Sequence, residues 1–283
     1  MDPKHFFSQD IDREQYFCKI VMNQRTRDTA MRRILGFILL LSHFSLSAMQ
    51  INTYLKFDSP QLTDQVRQFN TYLEKQGVFA RYHVKPFLEQ HPLHITLYMT
   101  EYPADQIEAI RQRVAELARE NPAPTMKTGS IVLGGGNYVM LDIAHQPEKA
   151  GNSALQNLSD HLVLQLQPLR DLNASMPSWA ANMPVKAKAF RIYGSPSVFF
   201  EYEPHFSLIA KKFSNNQEEK RFRLEMEKWI QSYSFPAIPL QATAIAIGKV
   251  NSFGQITEEL ASYPFAASSL FARGLSPKTP GQA

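Results

Sequence analysis

The sequence predicts an α+β protein, a two-lobed pseudo-symmetric duplication in which antiparallel sheets face a central cleft and helices lie outside. Two observations predict it. One order of elements (a strand carrying a histidine, a helix, a strand, a turn, a strand) is read twice along the chain, with His94 and His205 at matching places 111 residues apart. The composition supplies enough apolar chain for such a core, at 44% hydrophobic and 20% charged over 283 residues, which excludes disordered and fibrous classes.

Residues 50–57 alternate as a strand and end at Asp58-Ser59-Pro60, a cap followed by a first-turn proline. The helix this opens, over 60–76, carries Leu62, Val66, Phe69 and Leu73 on one stripe and closes at Gly77. A strand is predicted over 78–85. Residues 93–99 form the first histidine strand, with His94, Thr96 and Tyr98 on one face and Leu93, Ile95 and Leu97 on the other. A helix over 104–119 turns Ile107, Ile110, Val114 and Leu117 inward. A hairpin then pairs 130–133 with 138–143 across Gly134-Gly135-Gly136-Asn137. Those glycines are read as a turn and not as a phosphate cradle, because apolar strands flank them and no Lys-Ser/Thr follows.

A helix over 152–166 ends at Pro168, and the connection 168–188 has no assigned structure. Residues 198–202 are a strand candidate. The second histidine strand, 204–210, places His205, Ser207 and Ile209 on one face. A helix over 216–231, a strand over 240–247, a turn at Gly254 and a strand over 255–261 complete the second half. The tail after Ser268 is read as loose.

The first 48 residues read differently. Arg32 and Arg33 precede an apolar run, Ile34 to Leu41, with Ser45, Ser47 and Ala48 near a small-residue cut site. As a helix, 34–48 is about 22 Å long, short of the ~30 Å hydrocarbon core of a bilayer. A cleaved signal over 31–48 and a periplasmic or secreted mature protein are therefore expected, with an uncleaved membrane anchor as the alternative. Met31 is a candidate start, which makes 1–30 an upstream segment that the native protein lacks, and 49–283 the single mature domain. The one cysteine, Cys18, lies upstream of the cut, excluding an internal disulfide framework and any multi-cysteine zinc site. A net charge of +4 is too small for a non-specific nucleic-acid coat.

The chemistry lies in the two strands. His-x-Ser/Thr occurs three times; His43-Phe44-Ser45 falls in the signal segment, whereas His94-Ile95-Thr96 and His205-Phe206-Ser207 sit in apolar alternating strands of the two repeats. On a strand, residues i and i+2 share a face with Cα atoms about 6–7 Å apart. The hydroxyl can then donate to a phosphoryl oxygen while the imidazole reaches the attacking or departing oxygen. Two such pairs flank a phosphodiester as in-line displacement requires, one histidine as base and the other as acid; which is which is open. Tyr82, Tyr98 and Tyr202 are candidates for stacking a base. His91 and His94, three apart, fall on opposite faces of a strand, so no metal site is expected.

The paired motifs His94-Ile95-Thr96-Leu97 and His205-Phe206-Ser207-Leu208, in duplicated α+β lobes over about 50–262, resemble the 2H phosphoesterase superfamily, which includes the LigT-type RNA 2′,3′-cyclic phosphodiesterases historically called 2′–5′ RNA ligases. The resemblance implies His94 and His205 as the acid/base pair, Thr96 and Ser207 as phosphate binders, and no metal or other cofactor. It implies a small nucleotide or RNA-end substrate, and a monomer without a membrane span after signal cleavage is expected. The alternative is a non-catalytic nucleotide- or phosphate-binding module on the same fold. The chain departs from the family pattern in Phe206 and Ser207, in the connection 168–188 and in its signal segment.

Overall fold

The computed structural model describes residues 48–144 and 154–266. The chain runs β1 (Met49–Phe57), α1 (Pro60–Lys75), α2 (Val78–Tyr82), β2 (Ile95–Tyr102), α3 (Ile107–Glu120), β3 (Thr125–Leu133) and β4 (Tyr138–Ile143). It continues α4 (Ala154–Leu166), α5 (Ser178–Ala181), α6 (Pro184–Tyr193), β5 (His205–Ala210), α7 (Asn216–Gln231), β6 (Pro239–Val250) and β7 (Ile256–Pro264). The α+β class and the antiparallel pairing are as read from the sequence. The expected signal over 31–48 falls outside the described residues up to position 47, as do residues 1–30 and the tail after 268. No helix among the described residues is long and apolar enough to cross a membrane.

All strands pair antiparallel, in the order β2-β1-β6-β3-β4-β5, with β7 also on β6. One lobe is β2, β1, β6 and β7; the other is β3, β4 and β5. Each lobe therefore joins the histidine strand of one repeat to the hairpin of the other. The β6 strand holds the lobes together: its first residues pair with β3, and from Ala242 onward it pairs with β1 and β7. The edge strands β2 and β5 end up against each other. That brings the two motifs together although they stand at opposite ends of the strand order.

Helices cover the outer faces. In α1, Leu62, Val66, Phe69 and Leu73 are buried, the Ser59 hydroxyl accepts from the Leu62 amide at 3.2 Å, and Pro60 opens the first turn. Helices α3 and α4 pack on the first lobe, and α7 packs on β3 beside α1. The Ser159 hydroxyl of α4 donates to the Leu97 carbonyl of β2 at 2.8 Å.

Three segments differ from the sequence reading. Residues 78–82 are helical: Gly77 has φ +71°, which ends α1 and restarts the chain, so that Val78 and Tyr82, one helical turn apart, are both buried. β-Prone residues suggested a strand there, but their burial follows a helical period. Residues 198–202 are not a strand, since Phe199 has φ +55° and Phe199–Glu201 form a 3₁₀ turn. The unassigned connection contains α5 and the first half of α6, which runs on to Tyr193.

Helix α6 ends at Gly194, whose φ of +73° suits glycine. A Cβ there would stand 2.6 Å from both Thr100 Oγ1 and Arg170 Cδ, and Thr100 Oγ1 donates to the Gly194 carbonyl at 2.7 Å. Gly194→Ala is expected to destabilise the protein by about 1–3 kcal/mol through backbone strain and clash. A denaturant midpoint equal to that of the unsubstituted protein would contradict this account of the α6–β2 contact.

Candidate active site

Both histidines are held by the main chain two residues upstream. His94 Nδ1 is 3.0 Å from the Pro92 carbonyl oxygen, and His205 Nδ1 is 2.7 Å from that of Glu203. A carbonyl only accepts, so each Nδ1 carries the proton and each Nε2 of the neutral ring keeps a lone pair. That is the tautomer an acid/base imidazole needs, set in the same way in both repeats.

The hydroxyls are set alike. Thr96 pairs across the sheet with Tyr54, and Ser207 with Met140. Immediately afterwards each strand gains one residue over its neighbour: Thr53 pairs with Tyr98, and Val139 with Ile209, so Leu97 and Leu208 are the extra residues. The bulge sits one position after the hydroxyl in both motifs. Cross-strand partners share a face, and the bulge transfers the rest of the strand to the other one.

This accounts for two corrections. Tyr98 does not share the face of Thr96; it pairs with Thr53, is 1% exposed, and its hydroxyl donates to the Tyr193 carbonyl. Ile209 likewise leaves the face of Ser207 and joins the core. The other tyrosines are also packed. Tyr202 is buried and donates to the Thr96 carbonyl at 3.1 Å, while Tyr82 lies edge-on to Phe222 at 5.0 Å between centroids. Rings enclosed in this way present no face to a base, so the stacking role is withdrawn for Tyr82, Tyr98 and Tyr202.

Sequence reasoning missed several residues around the motifs. Asn52 of β1 donates from Nδ2 to Thr96 Oγ1 at 2.8 Å, and Gln255, before β7, donates from Nε2 to Ser207 Oγ at 3.1 Å. Tyr54 lies edge-on to His94, ring centroids 5.3 Å apart, with its hydroxyl donating to Glu259 at 2.9 Å. Burial, aided by Glu259, pushes the Tyr54 phenol up and keeps it neutral. On the other side, buried Lys186 of α6 pairs with Glu201 at 2.9 Å and approaches Glu203, whose carbonyl holds His205, to 4.0 Å. Strand alternation could have offered Asn52 and Tyr54 as a shared face of β1; nothing local in the sequence marks Gln255 or Lys186.

The two imidazoles are not equivalent. His94 is 4% exposed and is pushed down to about 4 from an ordinary 6.5, chiefly by burial, partly opposed by the Pro92 carbonyl, with smaller contributions from His205 and His91. His205, at the start of β5, is only half-buried. His91 turns Nδ1 to the Ile256 carbonyl at 2.9 Å, and His161 is exposed on α4. Among the described residues no group of three or more His, Cys, Asp or Glu side chains could hold a metal ion.

In both repeats a main-chain-held imidazole and a hydroxyl two residues later directly precede a strand bulge, in an α+β fold. The family model described as "2'-5' RNA ligase superfamily" matches residues 59–251, and the chain belongs to that superfamily. Its fold is similar to that of E. coli LigT complexed with NADP+, at 13% identity and TM-score 0.40 over 77% of this chain and 99% of that one. It is similar also to TT0787 of Thermus thermophilus, at 15% identity and TM-score 0.43 over 77% and 98%. A third such structure is Kluyveromyces marxianus Usb1, at 8% identity and TM-score 0.43 over 77% and 97%. No curated protein sequence matches the chain.

The depressed His94 has a consequence for stability. Between about pH 6.5 and 4 the unfolded chain binds a proton at this residue that the folded chain refuses, so stability is lost as pH falls through that window. The loss from this residue at pH 5 is about 2 kcal/mol relative to neutrality. Denaturant titrations at pH 7 and pH 5 should show the difference shrinking by that amount in His94→Asn. A ring-proton NMR titration placing His94 near its ordinary value would refute it.

Proposed function

We propose that this chain is a phosphodiesterase that opens a 2′,3′-cyclic phosphate on a nucleotide or RNA end, or cleaves a related 2′–5′ diester, using its paired histidines and no metal. The observation that supports this reading most is the repetition of one unit, an imidazole whose Nδ1 is held by the main chain so that Nε2 is left for proton transfer, beside a hydroxyl, on two strands that lie against each other. In the cyclic case His94, buried and held unprotonated, takes a proton from water as its oxygen attacks phosphorus. The bond from phosphorus to one ribose oxygen breaks, and His205 gives that oxygen its proton. Thr96 and Ser207 donate to the non-bridging oxygens, whose charge grows in the transition state. The half-buried pair Tyr138 and Phe253, edge-to-face at 6.4 Å and adjoining Gln255, replaces the three enclosed tyrosines as the aromatic surface for a base.

The same reading takes the segment 31–48 as a cleavable signal and assigns the mature protein to the periplasm or the cell exterior. Expressed from Met31, the mature chain should begin between residues 47 and 50 on N-terminal sequencing. A membrane-bound product still starting at residue 31 would support an anchor.

Turnover of 2′,3′-cyclic AMP and of 2′–5′ diadenylate, with and without EDTA, tests the reaction. Activity should survive the chelator; loss restored by Zn²⁺ or Mn²⁺ would overturn the metal-free reading. His94→Ala and His205→Ala should each lower kcat by roughly 10²–10⁴ in a folded protein, and the double variant should be little worse than either single one. The low-pH limb of the kcat/KM profile should fall as His94 is protonated, nearer pH 4 than 6.5. Near-normal turnover in either folded alanine variant would leave the pair without a role.

A further inference from the structure

We infer that Asn52 and Gln255 are positioning residues that fix the polarity of the two motif hydroxyls, making Thr96 and Ser207 obligate donors toward the bound phosphoryl group. This rests on the phosphodiesterase reading and adds to it the groups that aim the hydroxyls.

A hydroxyl has one proton and two lone pairs. Each motif hydroxyl already accepts from a side-chain amide, at 2.8 Å from Asn52 and 3.1 Å from Gln255. Among the described residues, neither donates its own proton to a protein acceptor. The amides are themselves fixed in direction. Asn52 Nδ2 also faces the Gly254 carbonyl at 3.5 Å, and Gln255 Nε2 donates to the Phe253 carbonyl at 3.1 Å. Turning either amide over would set its carbonyl oxygen against a main-chain carbonyl oxygen, which is repulsive.

Both amides are almost wholly buried, at 0% and 3% exposure, so water cannot readily substitute for them. Their carbonyl oxygens are buried without a hydrogen-bond partner among the described residues. Leaving such groups buried and unpaired is costly, and leucine would fill similar space without that cost. The donors they present to the hydroxyls are a use that offsets it. The turn that supplies the carbonyls is rigid in its own right: Asn251 Oδ1 accepts from the amides of Phe253 and Gln255, and Gly254, at φ +72°, donates to the Asn251 carbonyl at 2.9 Å. One turn thus sets both hydroxyls, which belong to different repeats.

The test is a pair of double-mutant cycles on the full chain, Asn52→Asp with Thr96→Val and Gln255→Glu with Ser207→Ala. They are read by kcat/KM on 2′,3′-cyclic AMP and by calorimetric affinity for adenosine 2′-monophosphate. A carboxylate in place of the amide accepts the hydroxyl proton and withdraws it from the ligand. Each single substitution should lower kcat/KM about 10- to 100-fold, the loss of one hydrogen bond to a charged acceptor. Each double variant should be no worse than its Thr96 or Ser207 parent, because the amide acts only through that hydroxyl. Should the buried carboxylates unfold the protein, Asn52→Leu and Gln255→Leu enter the same cycles, with losses that again vanish when the hydroxyl is absent. Losses that add to those of Thr96→Val and Ser207→Ala, or folded amide variants with unchanged constants, overturn the inference. If the wild type binds adenosine 2′-monophosphate without turning over the cyclic phosphate, the catalytic reading fails while the affinity cycles still decide the amides. If it does neither, both fail.

Discussion

Twelve consecutive residues, Pro239–Val250, hydrogen bond to three other strands, and the site exists because of that arrangement. A strand ordinarily serves one sheet with two neighbours. Here β6 gives its first residues to β3 and the remainder to β1 and β7, so the two lobes are parts of one ladder. Leu240, Ala242 and the run Ala244–Ile247 along it are all buried, and small residues there let neighbouring layers approach closely. Gly248 extends this logic: a Cβ at that position would lie 3.2 Å from Tyr54 Cε1 and 3.0 Å from the Glu258 carbonyl, so glycine makes the room in which Tyr54 lies edge-on to His94.

From that shared strand the motifs are positioned by local geometry that needs little from the rest of the fold. Each motif has the same three parts: a main-chain carbonyl two residues before the histidine, a hydroxyl two residues after it, and an extra residue directly beyond. The bulge is the part with the widest effect. It ends the alternation, so a strand can keep histidine and hydroxyl on one face and then return its apolar residues to the core. The amide donors are not matched by symmetry in the same way. Asn52 comes from a neighbouring strand and Gln255 from a turn, so equal chemistry is supplied by unequal elements.

Much of this was legible in the sequence, and what was not has identifiable reasons. Helix α7 falls at 216–231 as read, and α1 one residue short of its predicted end, because capping residues and a 3.6-residue stripe are local signals. Both motif strands were found from alternation, although β2 begins at Ile95, one residue after His94. The faces of Tyr98 and Ile209 were not, since a bulge leaves no mark in the residue pattern: leucine is the extra residue in both cases and would suit a regular strand equally well. The helix at 78–82 was hidden by β-prone side chains, and α5 with the first half of α6 lay in the Pro- and Asn-bearing stretch 168–188, which carried no periodic signal to assign. Gln255 and Lys186 were out of reach because their partners, Ser207 and Glu201, are defined by tertiary approach.

The carbonyls of Pro92 and Glu203 give the site an unusual evolutionary footing. In many acid/base centres the orienting partner of a histidine is a carboxylate, so a single codon change can remove it. Here the partner belongs to the peptide backbone, which every amino acid provides. Substitution at 92 or 203 can change flexibility, charge or packing around the loop, yet it leaves an oxygen in place to receive the imidazole proton. The protonation pattern is thereby insulated from drift at the positions that create it, and selection on those positions is free to act on what the neighbouring surface binds.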